Sequence, residues 1–390
     1  PILIASGLLG DTSAVARFWR FADCAPLDRS GAEAWLSEAI SGLTADERCA
    51  GVGGLAWGFD EDAYRRQVAR IQTYIAAGDC YQVNFTFPLR CRGFGHPLAL
   101  YAALRGRQPV RYGGLVRTGA GTILSLSPEL FLARDGDRLV TRPMKGTAAR
   151  ATDPEVLRQS VKDRAENVMI VDLLRSDLGR VAIPGSVVVE DLFAIEDYPT
   201  VWQMVSQVAA QVPGRSNGEI LRALFPCGSV TGAPKIRAMQ IVGELETEPR
   251  GLYTGALGWL GPGGAMRLNV AIRTLSFDQA GHGRLGVGSG IVADSVAAAE
   301  WRECQLKARF LTDLDPPLKL IETLRREEGR IPRLAGHLDR LGRSAAWFGF
   351  AFDAEAVQER LQHAGGDEGV WRIRLTLAKD GPIANNATAL

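Results

Sequence analysis

Residues 112–147 constrain the fold more than any other stretch. Short apolar and β-branched runs are divided there by Gly119-Ala120-Gly121 and by Asp135-Gly136-Asp137. A glycine in such a turn supplies the positive φ that a tight hairpin needs. Consecutive strands joined by tight turns run antiparallel, so the stretch reads as an antiparallel meander. It carries two residues with chemistry: Glu129 in Ser127-Pro128-Glu129-Leu130, and Lys145 in Pro143-Met144-Lys145-Gly146-Thr147. Both are expected on neighbouring strands, where pairing can bring them face to face.

Lys145 stands out because lysine is scarce. The others are Lys162, Lys235, Lys307, Lys319 and Lys379, against many arginines. Arginine stays charged at any ordinary pH, whereas lysine can lose its proton and become a nucleophile. A surface lysine in a turn is the alternative.

Elsewhere the chain alternates helical and strand patterns. Residues 32–43 read as a helix and 51–58 as a strand. Residues 60–77 place Tyr64, Val68, Ile71 and Ile75 at helical spacing, with Gly78 as the stop. Residues 78–88 alternate as a strand does, with Gln82, Asn84 and Thr86 on one face; that face is either solvated or, at Gln82, lines a pocket. Residues 153–178 read as one helix, with Asp153 as its cap and Pro154 at its first position. Residues 187–213 read as extended, and 217–224 as a short helix.

Cys227-Gly228-Ser229-Val230-Thr231-Gly232-Ala233-Pro234-Lys235 is a Gly-rich loop opening a helix over 236–245. Free N–H groups and the helix dipole favour an anion there, with Lys235 beside it. The loop does not meet the G-x-x-x-x-G-K-[ST] pattern, so an ATP site is not expected. Strands follow over 253–259, 266–275 and 284–291, the last ending in Gly286-Val287-Gly288-Ser289-Gly290, where a ligand could approach the backbone closely. The helix after Asp294-Ser295 puts Glu300, Glu303 and Lys307 on one face. They read either as a salt-bridged solvated face or as the acids and base that a Mg2+-bridged carboxylate ligand requires. Residues 313–317 form a linker, after which 320–324 and 370–377 read as strands around a turn and helix in 331–341.

Several classes are excluded. The chain has 46% apolar and 23% charged residues and a net charge of +1, which disfavours disorder. No basic run points to nucleic acid. No apolar run reaches the roughly 18 residues of a membrane span, and the first residues lack a signal-peptide pattern. The missing initiator Met leads us to expect that the true start lies upstream. Cysteines 24, 49, 80, 91, 227 and 304 form no C-x-x-C pair, so neither zinc nor a disulfide framework is expected, and a reduced, cytoplasmic setting is.

Six ordered motifs within about 62–314 resemble the chorismate-utilising enzymes: residues 78–85, 127–130, 143–147, 163–181, 227–236 and 288–307. The resemblance implies an α+β fold of two packed antiparallel sheets with outer helices, divided as residues 1–61 (the N-terminal part of the synthase domain), 62–314 (the catalytic domain) and 315–390. Isochorismate and salicylate synthases of this family carry a water-activating lysine where this chain has Gln82. Anthranilate synthases carry a small residue where it has Lys145. The Pro-Met-Lys-Gly-Thr form is that of the aminodeoxychorismate enzymes. The implied reaction is an aminotransferase-type one, in which chorismate and ammonia give 4-amino-4-deoxychorismate on the way to 4-aminobenzoate and folate. Anthranilate synthase component I and a non-catalytic chorismate-binding subunit are the alternatives.

The same resemblance assigns roles. Lys145 is the nucleophile and Glu129 the general acid. Glu166 and Glu303 hold Mg2+, with Glu300 close by. Gln82, Thr231, Tyr253, Arg273, Gly288, Ser289, Gly290 and Lys307 match substrate-binding positions, and Lys235 is a weaker match. Many anthranilate synthases have a substrate-contacting His where this chain reads Val201-Trp202-Gln203-Met204, so that contact does not carry over. No Cys-His-Glu amidotransferase pattern is present, which implies a glutaminase partner as the ammonia source.

Residues 320–324 through 337–341 resemble the start of the aminodeoxychorismate lyases, which are fold-type IV pyridoxal-phosphate enzymes. Arg340 matches a position that can bind the cofactor phosphate. The Schiff-base lysine lies much later in that fold, and Lys379 is a poor substitute. The resemblance therefore implies a partial lyase segment, with pyridoxal phosphate required only in a complete domain.

Overall fold

The computed structural model describes residues 2–4, 16–198, 201–315, 318–381 and 383–390. The chain begins with β1 (Ile2–Ile4), α1 (Arg29–Ser41), α2 (Ala45–Arg48), β2 (Gly51–Trp57), α3 (Glu61–Ala76), β3 (Gln82–Phe94) and α4 (Pro97–Arg107). Five strands follow: β4 (Gly114–Thr118), β5 (Gly121–Ser125), β6 (Leu130–Asp135), β7 (Arg138–Arg142) and β8 (Met144–Ala149). Next are α5 (Pro154–Gln159), α6 (Val161–Gly179), β9 (Val188–Asp197), β10 (Val201–Gln211), α7 (Asn217–Leu224), β11 (Gly232–Ala233) and α8 (Lys235–Leu245). Then come β12 (Ala256–Leu260), β13 (Met266–Val270), β14 (Thr274–Asp278), β15 (His282–Ile291) and α9 (Ala297–Thr312). The last part holds β16 (Leu320–Glu327), α10 (Leu334–Phe348), α11 (Ala354–Gln362), β17 (Val370–Leu377) and β18 (Ile383–Ala389).

Local chemistry explains the boundaries. The Asp60 carboxylate accepts from the Ala63 N–H at 2.7 Å and starts α3. Tyr64, Val68 and Ile71 bury its apolar face. The helix expected over 153–178 is two helices, because the Ser160 side chain accepts from Asp163 N and caps a second start. The strand expected over 266–275 is also two, divided at 271–273, where Arg273 takes φ 48°.

Antiparallel pairing builds three sheets among the described residues, with eight, seven and three strands. The first runs β1-β12-β13-β6-β7-β10, with β9 and β8 also on β10; the second runs β11-β3-β15-β14-β5-β4, with β2 on β3. The expected meander is real but split: β4 and β5 belong to the second sheet and β6 to β8 to the first. In the first sheet, β10 pairs with β8 through Val201–Val205 and with β7 through Val208–Gln211. Strands β7 and β8 are therefore one long strand along β10, interrupted at Pro143. Leu130 of β6 faces Arg142, which places Glu129 beside that interruption and near Lys145.

Each sheet has its own core. Val83, Phe85 and Leu89 of β3 pack with Tyr64, Ile71 and Trp301 from α3 and α9. Phe131, Leu139 and Val208 pack with Ile170 and Leu174 of α6. Leu324, Ile373 and Leu375 pack with Leu341 and Val357 over the three-stranded sheet. The face of Gln82, Asn84 and Thr86 is not solvated: they are 3%, 8% and 6% exposed. No helix among the described residues is long and apolar enough to cross a membrane.

Candidate active site

Lys145 follows Met144 at the start of β8, and the residues around it fix its main chain. Gly146 takes φ 93°, and a Cβ there would sit 3.0 Å from the Asp163 Cβ, so glycine lets β8 close onto the first turn of α6. The Thr147 hydroxyl donates to Gln203 Oε1 at 2.9 Å, and Gln203 Nε2 donates to the Gly146 carbonyl at 2.6 Å. Gln203 thus braces the strand.

Burial pushes the Lys145 amine below its usual range, and the Lys307 charge adds to this; Glu129, Glu166 and Glu303 pull the other way. Four predicted site residues thus converge on Lys145. Glu129 is 5% exposed, and its Oε1 has no hydrogen-bond partner. Burial raises its pKa to about 7, against the opposing pull of the Ser229 hydroxyl and Lys145. An acid that holds its proton to near neutrality therefore stands beside an amine that gives its proton up early.

Glu166 lies on α6 and Glu303 on α9. Burial raises the Glu166 carboxyl, with help from Asp163 and Glu303, while Lys145 and Lys162 oppose the rise. Burial also acts upward on Glu303, but Lys307, Lys145 and Lys162 outweigh it and hold the carboxyl low. Lys307 Nζ lies 2.7 Å from Glu303 Oε1 and donates to the Gly288 carbonyl at 2.9 Å, tying α9 to β15. Glu300 instead accepts from the Ser295 hydroxyl at 2.8 Å. Among the described residues, no group of three or more His, Cys, Asp or Glu could by itself hold a metal ion. Glu166 and Glu303 nonetheless offer hard oxygen donors, and the repulsion felt by Glu166 is what a divalent cation would relieve.

The second sheet supplies the opposite wall. Gly286, Gly288 and Gly290 share one face of β15. The Tyr253 ring lies directly on Gly286, and the Gln82 carboxamide on Gly290, so a side chain at either glycine would overlap them. Burial pushes the Tyr253 phenol up. Burial lowers the Arg273 guanidinium, against the pull of Tyr198 and Tyr253. Gly288 and Gly290 pair with Thr86 and Asn84. Ser289 points the other way: its hydroxyl pairs with Tyr64 Oη at 2.8 Å in the buried core, because alternate residues of a strand face opposite sides. Ser289 can therefore offer this wall only its main chain.

One expectation at the Gly-rich loop needs correction. Lys235 does not face an open anion site, because its Nζ is held at 2.6 Å by Asp177 Oδ2 and donates to the Leu224 carbonyl at 2.9 Å. The side chain of Thr231 is also engaged within the loop, donating to the Gly228 carbonyl at 3.1 Å. At the C-terminal segment, Arg340 Nε donates to Glu322 Oε1 at 2.7 Å, its Nη2 bonds the other oxygen, and His337 joins them. Lys379 donates to the Leu314 carbonyl. With Arg340 compensated and Lys379 engaged, the residues present do not assemble a pyridoxal-phosphate site.

Sequence reasoning missed the Glu246–Arg250 pair. Arg250 donates to the carbonyls of Asn84 at 2.7 Å and Val230 at 2.9 Å, and to the Thr254 hydroxyl at 3.4 Å. Glu246 accepts from Thr86 N and Oγ1, each at 2.9 Å. One buried pair thus fixes β3, the Gly-rich loop and the turn carrying Tyr253. The only signal was an i,i+4 spacing, which surface pairs share.

Residues 37–313 match the chorismate binding enzyme family, and residues 319–389 match class IV amino-transferases. The chain is 44% identical to aminodeoxychorismate synthase component 1 of Klebsiella aerogenes over 259 residues, covering 64% of this chain and 57% of that one. It is 42% identical to anthranilate synthase component 1 of Streptomyces coelicolor over 274 residues, covering 67% and 53%. The anthranilate synthase component I structure from Streptococcus pneumoniae aligns with a TM-score of 0.66 and 26% identity, covering 80% of each chain. The chain spans little more than half the length of the curated relatives it matches.

Proposed function

The chain belongs to the chorismate-binding enzymes, and on that premise we propose that it forms 4-amino-4-deoxychorismate from chorismate and ammonia. The observation that carries this reading is the pairing of Glu129, raised to about 7, with Lys145, lowered by burial. Four of the curated relatives are named aminodeoxychorismate synthase component 1, at 39% to 44% identity, which supports the same choice.

Hydroxide is a poor leaving group, and Glu129 as general acid delivers a proton to the C4 oxygen as it departs. Lys145 as nucleophile attacks C2 through its neutral amine, forming the C–N bond as the C4–O bond breaks. Ammonia then adds at C4 and expels the lysine, so the enolpyruvyl group is kept. Two easier displacements replace one hard one. Gln82 stands where a water-activating base would be needed and supplies none, so ammonia and not water completes the reaction. Glu166 and Glu303 would hold Mg2+, which when bound neutralises a substrate carboxylate. The glycine strip under Tyr253, with Arg273 and Lys307, binds the substrate. Ammonia comes from a separate glutaminase subunit, in keeping with the name component 1 of the relatives, and the setting is cytoplasmic.

A second reading, anthranilate synthase, is favoured by the relatives and the aligned structure that bear that name. Product analysis separates the two. The purified chain is incubated with chorismate, Mg2+ and high ammonium. Aminodeoxychorismate is the expected product, converted to 4-aminobenzoate only when a lyase is added. Anthranilate would overturn the proposal.

A further inference from the structure

We propose that Asn84 is a further substrate-contacting residue, its carboxamide donating a hydrogen bond to an oxygen of the bound carboxylate substrate. The inference rests on the functional reading above. Asn84 is 8% exposed, and its Nδ2 has no hydrogen-bond partner. Its main chain is fully engaged: the N–H donates to the Thr231 carbonyl at 2.9 Å, and the carbonyl accepts from Arg250 at 2.7 Å. The strand is thus fixed, and the side-chain donor stays open. Buried amides nearly always find partners, so an open one needs a reason.

Its surroundings supply the reason. Asn84 pairs with Gly290 across β3 and β15, and its Oδ1 lies 3.2 Å from where a Gly290 Cβ would stand. Gln82, two residues along on the same face and 3% exposed, has an unpartnered Oε1. The open donor of Asn84 and the open acceptor of Gln82 belong to one strand face, where Gln82 Nε2 and Asn84 Oδ1 are the atoms turned toward Gly290. Lys307, ion-paired with Glu303, donates to the carbonyl of Gly288, two residues along the same strand. An open amide donor suits a carboxylate or hydroxyl oxygen.

The test measures equilibrium binding of chorismate to the full chain with Mg2+ and without ammonia, alongside thermal unfolding of the unliganded chain. Asn84→Leu keeps the volume and removes the open donor. The expected result is an unfolding midpoint equal to or above wild type, with chorismate affinity at least tenfold weaker. A structural asparagine would give the reverse, a lowered midpoint with unchanged affinity, and that result overturns the proposal. Asn84→Asp keeps the shape and should also weaken binding at least tenfold above neutral pH; if Asn84→Leu does not fold, wild-type affinity in Asn84→Asp overturns the proposal. A wild-type chain that binds no chorismate would overturn both this inference and the functional reading, whereas wild-type binding with unaltered variants removes only Asn84.

Discussion

Arg250 and Glu246 form an ion pair at 2.7 Å with side chains only 7% and 3% exposed. Both charges have left water, and neither is tolerable there alone. The pair is sustained by bonds to Asn84, Val230, Thr254 and Thr86, which belong to three separate segments of the site wall.

Arg250→Ala should therefore destabilise the chain by about 3–5 kcal/mol, since it strands the Glu246 carboxylate. Arg250→Met combined with Glu246→Gln should lose clearly less than the sum of the two single changes. Denaturant unfolding of wild type, Arg250→Ala, the two single changes and the double variant checks this. Strict additivity would show that the two side chains do not depend on each other.

Glu129 links stability to pH. Its folded pKa of about 7 lies above the ordinary 4.5, so the folded state binds the proton more tightly than the unfolded one. The stability this gives is complete below about 4.5 and is lost as pH rises through about 7. At about 1.4 kcal/mol per pKa unit the loss is about 3 kcal/mol. Glu129→Gln cannot ionise, so its midpoint should gain on wild type between pH 5 and pH 8. Thermal unfolding at both pH values measures the gap; a constant gap would remove the buried, ionisable Glu129 from the account.

Lys145 holds the Glu129 pKa down by its charge. Lys145→Ala removes that charge, and the Glu129 carboxyl should then titrate above about 7. Infrared difference spectroscopy of the protonated carboxyl across pH follows it directly. The same variant should form no covalent adduct with chorismate by intact-protein mass spectrometry. An unshifted carboxyl would mean the two groups are not coupled, and a wild-type-like adduct would remove Lys145 as nucleophile.

Much of this arrangement is legible in the sequence where a pattern has one physical cause. The spacing of Tyr64, Val68 and Ile71 can only bury one helical face, and Asp135-Gly136 can only turn a hairpin. The long-range parts are not legible. Alternation at Gln82, Asn84 and Thr86 reveals a strand face but not whether water or a second layer covers it. The direction of Ser289 depends on register, and one residue of offset reverses it. Lys235 looks free until Asp177, on another helix, is seen 2.6 Å away. The break at Ser160 follows from a cap that competes with an unbroken helix.

Trp347 joins the C-terminal segment to the rest of the chain. Its indole fills the space where side chains at Gly53 and Gly54 of β2 would stand, and Phe94 lies 6.2 Å from it and 5.4 Å from Phe348, ring centre to ring centre. The Trp347 ring is half-buried, so removing it costs less than the roughly 3 kcal/mol of a fully buried one. Trp347→Ala should therefore loosen the segment and speed proteolytic cleavage within 313–319 several-fold. Gly53→Val should do the same, because its side chain would overlap the indole. Turnover of chorismate should change little in either variant, since β2 and α10 contribute no residue to the Lys145 site. Limited proteolysis followed by mass spectrometry reads the cut directly. Cleavage at the wild-type rate in both variants would mean that the linker, not the Trp347 contact, holds the segment in place.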